Sequence, residues 1–191
     1  KISSIPENAL THGGKFHADD VFSGAFLSIL RPDIQIKRAF KVPENYEGLV
    51  FDLGWGAFDH HQQGAPVRDN GVPYAAFGLL WREFGEEFLL KNCGPQDAER
   101  EFLRFDEQFV QPLDLDDNTG CGSELASAIG DFNPAWDSSA DPDTCYGEAL
   151  VFAKTLLEKH FENVFATVRA SDSVRKALSH IEDHVVVLPF Y

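Results

Sequence analysis

Short apolar segments alternate with an amphipathic segment at the start of the chain, and this alternation constrains the fold more than any other feature. Residues 9–12 predict a buried strand, residues 20–30 an amphipathic helix, and residues 34–40 a second strand. Residues 49–53 predict a third strand, which is apolar except for Asp52. Strands separated by a helix are typical of a parallel sheet with helices packed on it. The sequence therefore predicts an α/β fold with a mainly parallel sheet flanked by helices.

Helical periodicity dominates the remainder of the chain. Residues 74–90 predict one amphipathic helix, and a second begins at Pro95 and ends before Pro112, since proline stops a helix. A short acidic segment follows at residues 113–120. Further predictions are helices at 122–129, 148–168 and 172–184, a surface loop at 131–143, and a last strand at 185–188.

Composition and charge exclude several classes of protein. Hydrophobic residues make up 43% of the chain and include 17 Phe, which is enough for a core and excludes disorder over most of the length. The 31 acidic and 16 basic side chains give a formal charge of −15. This charge excludes a long nucleic-acid groove, because such a groove needs clustered Lys and Arg. A small phosphate ester stays compatible with it if carboxylates hold metal ions that supply positive charge.

Scattered cysteines and the absence of a leader-like segment predict a soluble cytoplasmic protein. Cys93, Cys121 and Cys145 form no C-x-x-C pair, which is typical of reduced thiols. The first residues, KISSIPENAL, lack the apolar core of a signal peptide. No apolar run approaches the roughly 20 residues that span a bilayer, so we expect no membrane partner.

Histidine and aspartate side chains cluster where two predicted strands end. His12, His17 and Asp19 lie in and just after the loop that follows the first strand, and Asp52 ends the third. In open α/β sheets, ligands bind beyond the carboxyl ends of the strands. A lone carboxylate such as Asp52 is costly to bury unless it is paired or binds a metal. These residues predict a metal or ligand site at this edge of the sheet.

A third cluster, Asp59, His60 and His61, follows seven residues after Asp52. Adjacent side chains of an extended segment point to opposite sides, so His60 and His61 are expected to differ in role. One of them would bind metal while the other faces the substrate. Nitrogen and oxygen ligands without a thiolate favour Mn²⁺, with Mg²⁺, Co²⁺ or Zn²⁺ as alternatives.

An acidic run at residues 114–118 is a further candidate, because its carboxylates repel one another and a cation would relieve that repulsion. Each cluster also has a structural interpretation. A His–Asp pair can be a hydrogen-bonded structural pair, a strand-end Asp can be a cap, and an acidic run can be a solvated face. The order of the clusters along the chain favours a site over these alternatives.

Four segments in this order resemble the DHH phosphoesterase superfamily, and most closely its melanocyte-proliferating-gene (GAMM) branch, whose members are often labelled metal-dependent protein hydrolases. They are THGGKFHADD at 11–20, FDLG at 51–54, DHHQQG at 59–64 and LDLDDNTG at 113–120. The resemblance implies a fold like the N-terminal domain of those enzymes, with residues 1–184 as a DHH-type catalytic domain. Residues 185–191 would be a terminal strand, or the first strand of a C-terminal domain before which the chain is truncated.

The resemblance also implies a site for two divalent metal ions, with Mn²⁺ as the expected metal. His12 and His17 would bind the first ion. Asp19 and His60 would bind the second ion, and Asp52 would bridge the two.

The same resemblance assigns the residues around the two ions. Asp114 or Asp117 would complete the ligands of the second ion, and both stay open because Thr119 interrupts the family's Asp-x-x-Asp-Asn-Gly pattern. Asp59 would orient a neighbouring histidine. His61 would contact the scissile phosphate or protonate its leaving oxygen.

The implied activity is hydrolysis of phosphodiester bonds in short oligonucleotides or small nucleotides, by water activated between two ions about 3.5–4 Å apart. Lys15, Arg38 and Arg68 are candidate phosphate contacts. The alternatives are a pyrophosphatase-like phosphoanhydride hydrolase and a non-catalytic metal- or nucleotide-binding module. No H-E-x-x-H helix supports a peptidase. Formation of a homo-oligomer is left open.

Overall fold

A small parallel sheet lies among helices in the computed structural model, which describes residues 1–178. Strand β1 (Asn8–His12) is central, between β2 (Gln35–Ala39) and β3 (Leu49–Val50). The predicted α/β arrangement, a parallel sheet flanked by helices, is confirmed over these residues. The end of the helix predicted at 172–184, the strand predicted at 185–188 and the separate segment 185–191 lie outside the described residues.

Helix α1 (Ala18–Leu30) makes the crossover between β1 and β2, because parallel neighbours cannot be joined by a tight hairpin. Its apolar side chains Val21, Phe22 and Phe26 are fully buried. The remaining helices are α2 (Ala76–Cys93), α3 (Pro95–Phe105), α4 (Gln111–Thr119), α5 (Glu124–Gly130) and α6 (Pro142–Leu178). Within the described part of the chain, none of the helices has the length and apolar character needed to cross a bilayer.

Aromatic rings hold these helices together beneath the sheet. The ring of Phe26 on α1 lies 5.4 Å from the ring of Trp81 on α2, centroid to centroid. Trp81 in turn stacks on Phe102 of α3 and on Phe161 of α6. This core anchors α1, and therefore the loop that precedes it, against three other helices.

Two helical predictions differ from the structure. The helix that begins at Pro95 does not end before Pro112, because a π-helical segment, Asp106–Val110, connects α3 directly to α4. Pro112 lies in the first turn of α4, where a missing N–H is tolerated. The predicted break between 168 and 172 is also wrong, since α6 continues through it. No glycine or proline occurs from 148 to 178 that would stop the helix.

Candidate metal centre

Three loops meet beyond the carboxyl ends of the strands. His12 ends β1, and Asp52 follows closely after β3. His12 Nε2 lies 3.2 Å from Asp52 Oδ2. An isolated β-bridge pairs Phe51 with Phe58, and the segment that begins at Asp59 therefore lies beside Asp52. The parallel sheet thus brings together side chains that are about 40 residues apart in the sequence.

His12 lies between two buried carboxylates. Its Nε2 is 3.2 Å from Asp20 Oδ2 as well as from Asp52 Oδ2. Burial alone lowers the pKa of His12, but the two carboxylates outweigh it and raise the pKa to about 10. Asp20 is fixed from its other side, because its Oδ1 accepts a hydrogen bond from the backbone N–H of His17.

His60 makes the second set of contacts to Asp52. Its Nε2 lies 3.3 Å from Asp52 Oδ1, 3.1 Å from Asp117 Oδ2 and 3.7 Å from Asp19 Oδ2. The amide oxygen of Asn118 lies 3.4 Å from Nδ1. Because an amide oxygen can only accept, Asn118 makes Nδ1 the donor and turns Nε2 toward the carboxylates.

Three groups of side chains have donor atoms close enough to hold a cation. They are His12, Asp20 and Asp52; Asp52, His60 and His61; and His17, Asp19 and Asp117. Within each group the donor atoms lie within 4.8 Å of one another. Asp52 belongs to two of the groups, and its two oxygens face different histidines. It therefore occupies the middle of the cluster.

Several buried polar atoms in this cluster make no well-formed hydrogen bond among the described residues, although histidine nitrogens and carboxylate oxygens lie 3.1–3.3 Å apart. They are His12 Nε2, Asp19 Oδ1, Asp20 Oδ2, Asp52 Oδ1 and His60 Nε2. Buried polar atoms are almost always partnered, so five exceptions in one place require an explanation. Two donors on one small divalent cation lie roughly 3 Å apart, close to the separations found here. The donor set therefore fits divalent cations.

Charge repulsion within the cluster also favours a bound cation. Asp19 is fully buried, and burial together with the nearby Asp52 and Asp117 carboxylates raises its pKa well above the usual range. Burial also favours the neutral form of Asp52, but His12 and His60 hold its pKa at about 2. Without a cation, the cluster thus holds protons on His12 and His60 near neutral pH. A cation would replace these protons.

Cation binding is therefore expected to release protons and to strengthen as the pH rises. The pKa of His60, like that of His12, is raised to about 10 by its carboxylate neighbours despite burial. Each proton displaced makes the affinity rise by about tenfold per pH unit, so loss of two protons predicts about 100-fold per unit between pH 6 and 8. Calorimetric Mn²⁺ titrations in buffers of different ionisation enthalpy count the protons. An affinity independent of pH would contradict these protonation states.

His61 is oriented differently from His60. Its Nδ1 lies 2.8 Å from Asp59 Oδ1, and 59% of its side chain is exposed. Asp59 also accepts the backbone N–H groups of Trp55 and His61, and these bonds, with His61 Nδ1, lower its pKa although burial opposes them. An ionised Asp59 makes Nδ1 the donor, which leaves Nε2 as the free ring nitrogen.

Two cavities open beside the cluster. One of about 440 Å³ is lined by His12, Lys15, His17, Asp52, Leu53, Gly54, Trp55, Asp59 and His61. The other, of about 510 Å³, extends from Lys15 and His17 past Asp117 toward α5. Lys15 and His17 line both cavities, so a ligand that occupies the two cavities together lies against the cluster.

Asp114 and Arg68 lie together in a separate, buried network. Arg68 Nη1 lies 2.8 Å from Asp114 Oδ2, and its other nitrogens bind both oxygens of Asp106 in the π-helical segment. Gly78 N–H donates to Asp114 Oδ1. Burial raises the pKa of Asp114 to about 7 even though Arg68 and the Gly78 N–H favour the charged form. The structure therefore brings Asp117 to the histidines, while Asp114 faces Arg68.

Replacing Gly78 by alanine tests this network. An added Cβ would overlap with Asp114 Oδ2 and lie 2.7 Å from Arg68 Nη2. We expect the free energy of unfolding to fall by about 2 kcal/mol, since overpacking of buried groups outweighs the helix propensity of alanine. Gly147→Ala in α6 is the matched control, because no atom lies within 4 Å of its added Cβ. The free energies of unfolding of the two variants are measured with urea. A value for Gly78→Ala equal to or above that for Gly147→Ala would contradict the packing described here.

The other two candidate phosphate contacts differ in exposure. The side chain of Arg38 is 3% exposed; it donates to the carbonyls of Gly14 and Pro142 and pairs with Asp143. Its guanidinium therefore secures the loop after β1 rather than facing solvent. Lys15, in contrast, is exposed where the two cavities meet.

Two residues of the cluster were missed by the sequence analysis. Asp20 carries a recognisable signal, since it is three residues after His17 and their mutual bonds form a capping box at the start of α1. Asn118 belongs to the acidic run, but its contact with His60 depends on how α4 packs against the DHH loop. No local pattern predicts that contact.

The chain matches one family of proteins over most of its length. The family model MYG1_exonuc, described as an uncharacterised protein family (UPF0160), matches residues 8–188. MYG1 protein C694.04c of Schizosaccharomyces pombe is 28% identical over 188 residues, which cover 79% of this chain and 55% of the relative. MYG1 protein C27H6.8 of Caenorhabditis elegans is 27% identical over 178 residues, covering 74% of this chain and 51% of the relative.

A third relative, MYG1 protein YER156C of Saccharomyces cerevisiae, is 24% identical over 186 residues, covering 78% of this chain and 55% of the relative. The chain spans about half the length of these curated relatives. No solved structure matches it.

Proposed function

Because the chain belongs to the MYG1_exonuc family, we propose that it is a metal-dependent phosphoesterase that hydrolyses phosphodiester bonds of short oligonucleotides or small nucleotides. The family name points to an exonuclease-like enzyme. The observation that carries the proposal is the set of five buried nitrogen and oxygen atoms that make no well-formed hydrogen bond, beside an open cavity. The residues and their order also agree with a DHH-type site, which we include in the proposal.

The ligand assignment follows the groups of side chains whose donor atoms lie close together. His12 and His60 present Nε2 to Asp52, whose two oxygens lie between them. We assign His12, His17, Asp19, Asp52, His60 and Asp117 to two divalent cations, with Mn²⁺ expected. Asp20 joins this set, since its Oδ2 lies 3.2 Å from His12 Nε2. Asp114 is not assigned to a cation, because Arg68 and Gly78 already bind its carboxylate.

In this proposal, both the cations and nearby side chains contribute to the chemistry at the phosphate. Bound divalent cations would neutralise charge on the phosphoryl group and increase the acidity of water. His61 has its Nδ1 fixed by Asp59, so its free Nε2 can hold a proton for the leaving oxygen. Lys15 binds a phosphate oxygen at the point where the two cavities meet. The acidic surface elsewhere disfavours a long polyanion, so the substrate is expected to be short.

Hydrolysis of a short oligoribonucleotide tests the proposed function. The chain is first stripped of metal with a chelator and then assayed with and without added Mn²⁺, in parallel with pyrophosphate. We expect nucleotides to be released only when Mn²⁺ is present. Release of phosphate from pyrophosphate alone would identify a phosphoanhydride hydrolase. Metal binding without turnover of either substrate would identify a non-catalytic module and contradict the proposal.

A further inference from the structure

Trp55 presents a large aromatic ring to solvent at the edge of the candidate metal centre. Its surface is 76% exposed, and it lines the 440 Å³ cavity together with Lys15 and His61. Trp136 is exposed as well, but Trp55 is the exposed tryptophan that lines this cavity. Its ring lies outside the aromatic core, so its surface is available to a ligand in the cavity.

The backbone around Trp55 is held in a conformation that a bulky residue rarely adopts. Its φ is +60°, and the preceding Gly54 has a φ of +82°. A non-glycine residue with positive φ is strained and persists only where its surroundings impose it. Here the N–H of Trp55 donates to Asp59 Oδ2 at 2.6 Å. Asp59 also binds His61, so one carboxylate fixes both the tryptophan and the histidine.

A second exposed aromatic ring lies against the loop that follows β1. Phe40 is 85% exposed, and its ring lies against Gly13 and Gly14 in the loop that connects His12 to Lys15. The 510 Å³ cavity on the other side of Lys15 is lined mainly by small and acidic residues instead.

We propose that Trp55 stacks on the nucleobase next to the phosphate held at this centre, so that the substrate is a nucleotide-containing phosphodiester. This inference rests on the proposed function and assigns the residue that recognises the base. A flat, exposed ring close to a lysine matches the two parts of a nucleotide, its base and its phosphate. Stacking is also effective on an acidic protein, because it does not depend on attraction of the polyanion to positive charge.

Binding of a non-hydrolysable dinucleotide tests the stacking directly. The probe carries a methylene group in place of the bridging oxygen, and a matched probe lacks both bases. Affinities are measured by calorimetry in Mg²⁺ for the wild type, Trp55→Ala and Trp55→Phe. We expect the wild type to bind the dinucleotide about 5- to 100-fold more tightly than the abasic probe, Trp55→Ala to lose this preference, and Trp55→Phe to keep most of it.

Trp136→Ala is the matched control, because Trp136 is 96% exposed but does not line the cavity. It should bind both probes as the wild type does. Equal binding of the two probes by the wild type, failure to bind either, or a preference unchanged in Trp55→Ala would overturn the proposal. Binding does not require turnover, so the proposed hydrolysis and the proposed stacking can be contradicted independently of each other. A base preference without hydrolysis contradicts only the proposed function, whereas dinucleotide hydrolysis that Trp55→Ala leaves unchanged contradicts only the stacking.

Discussion

Asp52→Asn is expected to abolish both metal binding and hydrolysis. Oδ1 of Asp52 faces His60 and Oδ2 faces His12, so loss of one anionic oxygen affects both sides of the cluster. We expect Mn²⁺ affinity to fall by at least about 100-fold, since even residues behind metal ligands change it by 10- to 100-fold. The value of kcat/KM should fall by about a thousandfold as the charge stabilisation is lost. Equilibrium dialysis and a phosphodiesterase assay measure the two effects.

The fold should survive this substitution. Asp52 has a φ of +52°, a conformation that asparagine tolerates better than most residues. Far-ultraviolet circular dichroism identical to that of the wild type would show that the loss is local. Asp137→Asn changes the charge equally at an exposed position and should leave binding and turnover unchanged. Normal Mn²⁺ affinity in Asp52→Asn would refute its place between the two ions.

His61→Ala is expected to separate catalysis from metal binding. Asp59 engages Nδ1 of His61 at 2.8 Å, and the ring lies at the cavity with most of its surface exposed. Loss of a proton donor to the leaving oxygen should lower kcat by about 10²- to 10⁴-fold. The number of Mn²⁺ ions bound per chain should stay the same. Steady-state kinetics and metal analysis of the same preparation test both statements.

Gln63→Ala provides the control in the same loop, because Gln63 is exposed and two residues from His61. It should keep wild-type kinetics. His61 also lies with Asp52 and His60 in one of the groups that could hold a cation. A lower number of ions bound by His61→Ala would therefore assign His61 to metal binding and contradict its role as proton donor.

Much of the fold could be predicted because strands and the loops after them follow simple rules. The apolar runs around Leu10 and Val50 lie side by side as parallel strands, so the residues that follow each strand meet at one edge. The helix limits were harder to predict. Pro112 looks like a stop signal, but the π-helical segment before it places it in a tolerated first turn.

The candidate site could likewise be predicted only in part. The clustering of His12 with Asp52 follows from strand order, which a sequence pattern can reveal. The separation of Asp114 from Asp117 depends on which side of α4 faces Arg68, a partner about 46 residues away in the sequence. The contact of Asn118 with His60 likewise depends on packing between distant segments. Such tertiary contacts leave no periodic signal in one sequence.

The number of Mn²⁺ ions bound per chain tests whether Asp52 lies between two cation sites. Chelator-treated protein is equilibrated with Mn²⁺, freed of unbound ion and measured by elemental analysis against protein concentration. We predict two ions per chain, both lost in Asp52→Asn, because donor atoms that could hold a cation lie on both sides of that residue. Folded wild-type protein that binds no Mn²⁺, Mg²⁺, Co²⁺ or Zn²⁺ would contradict it.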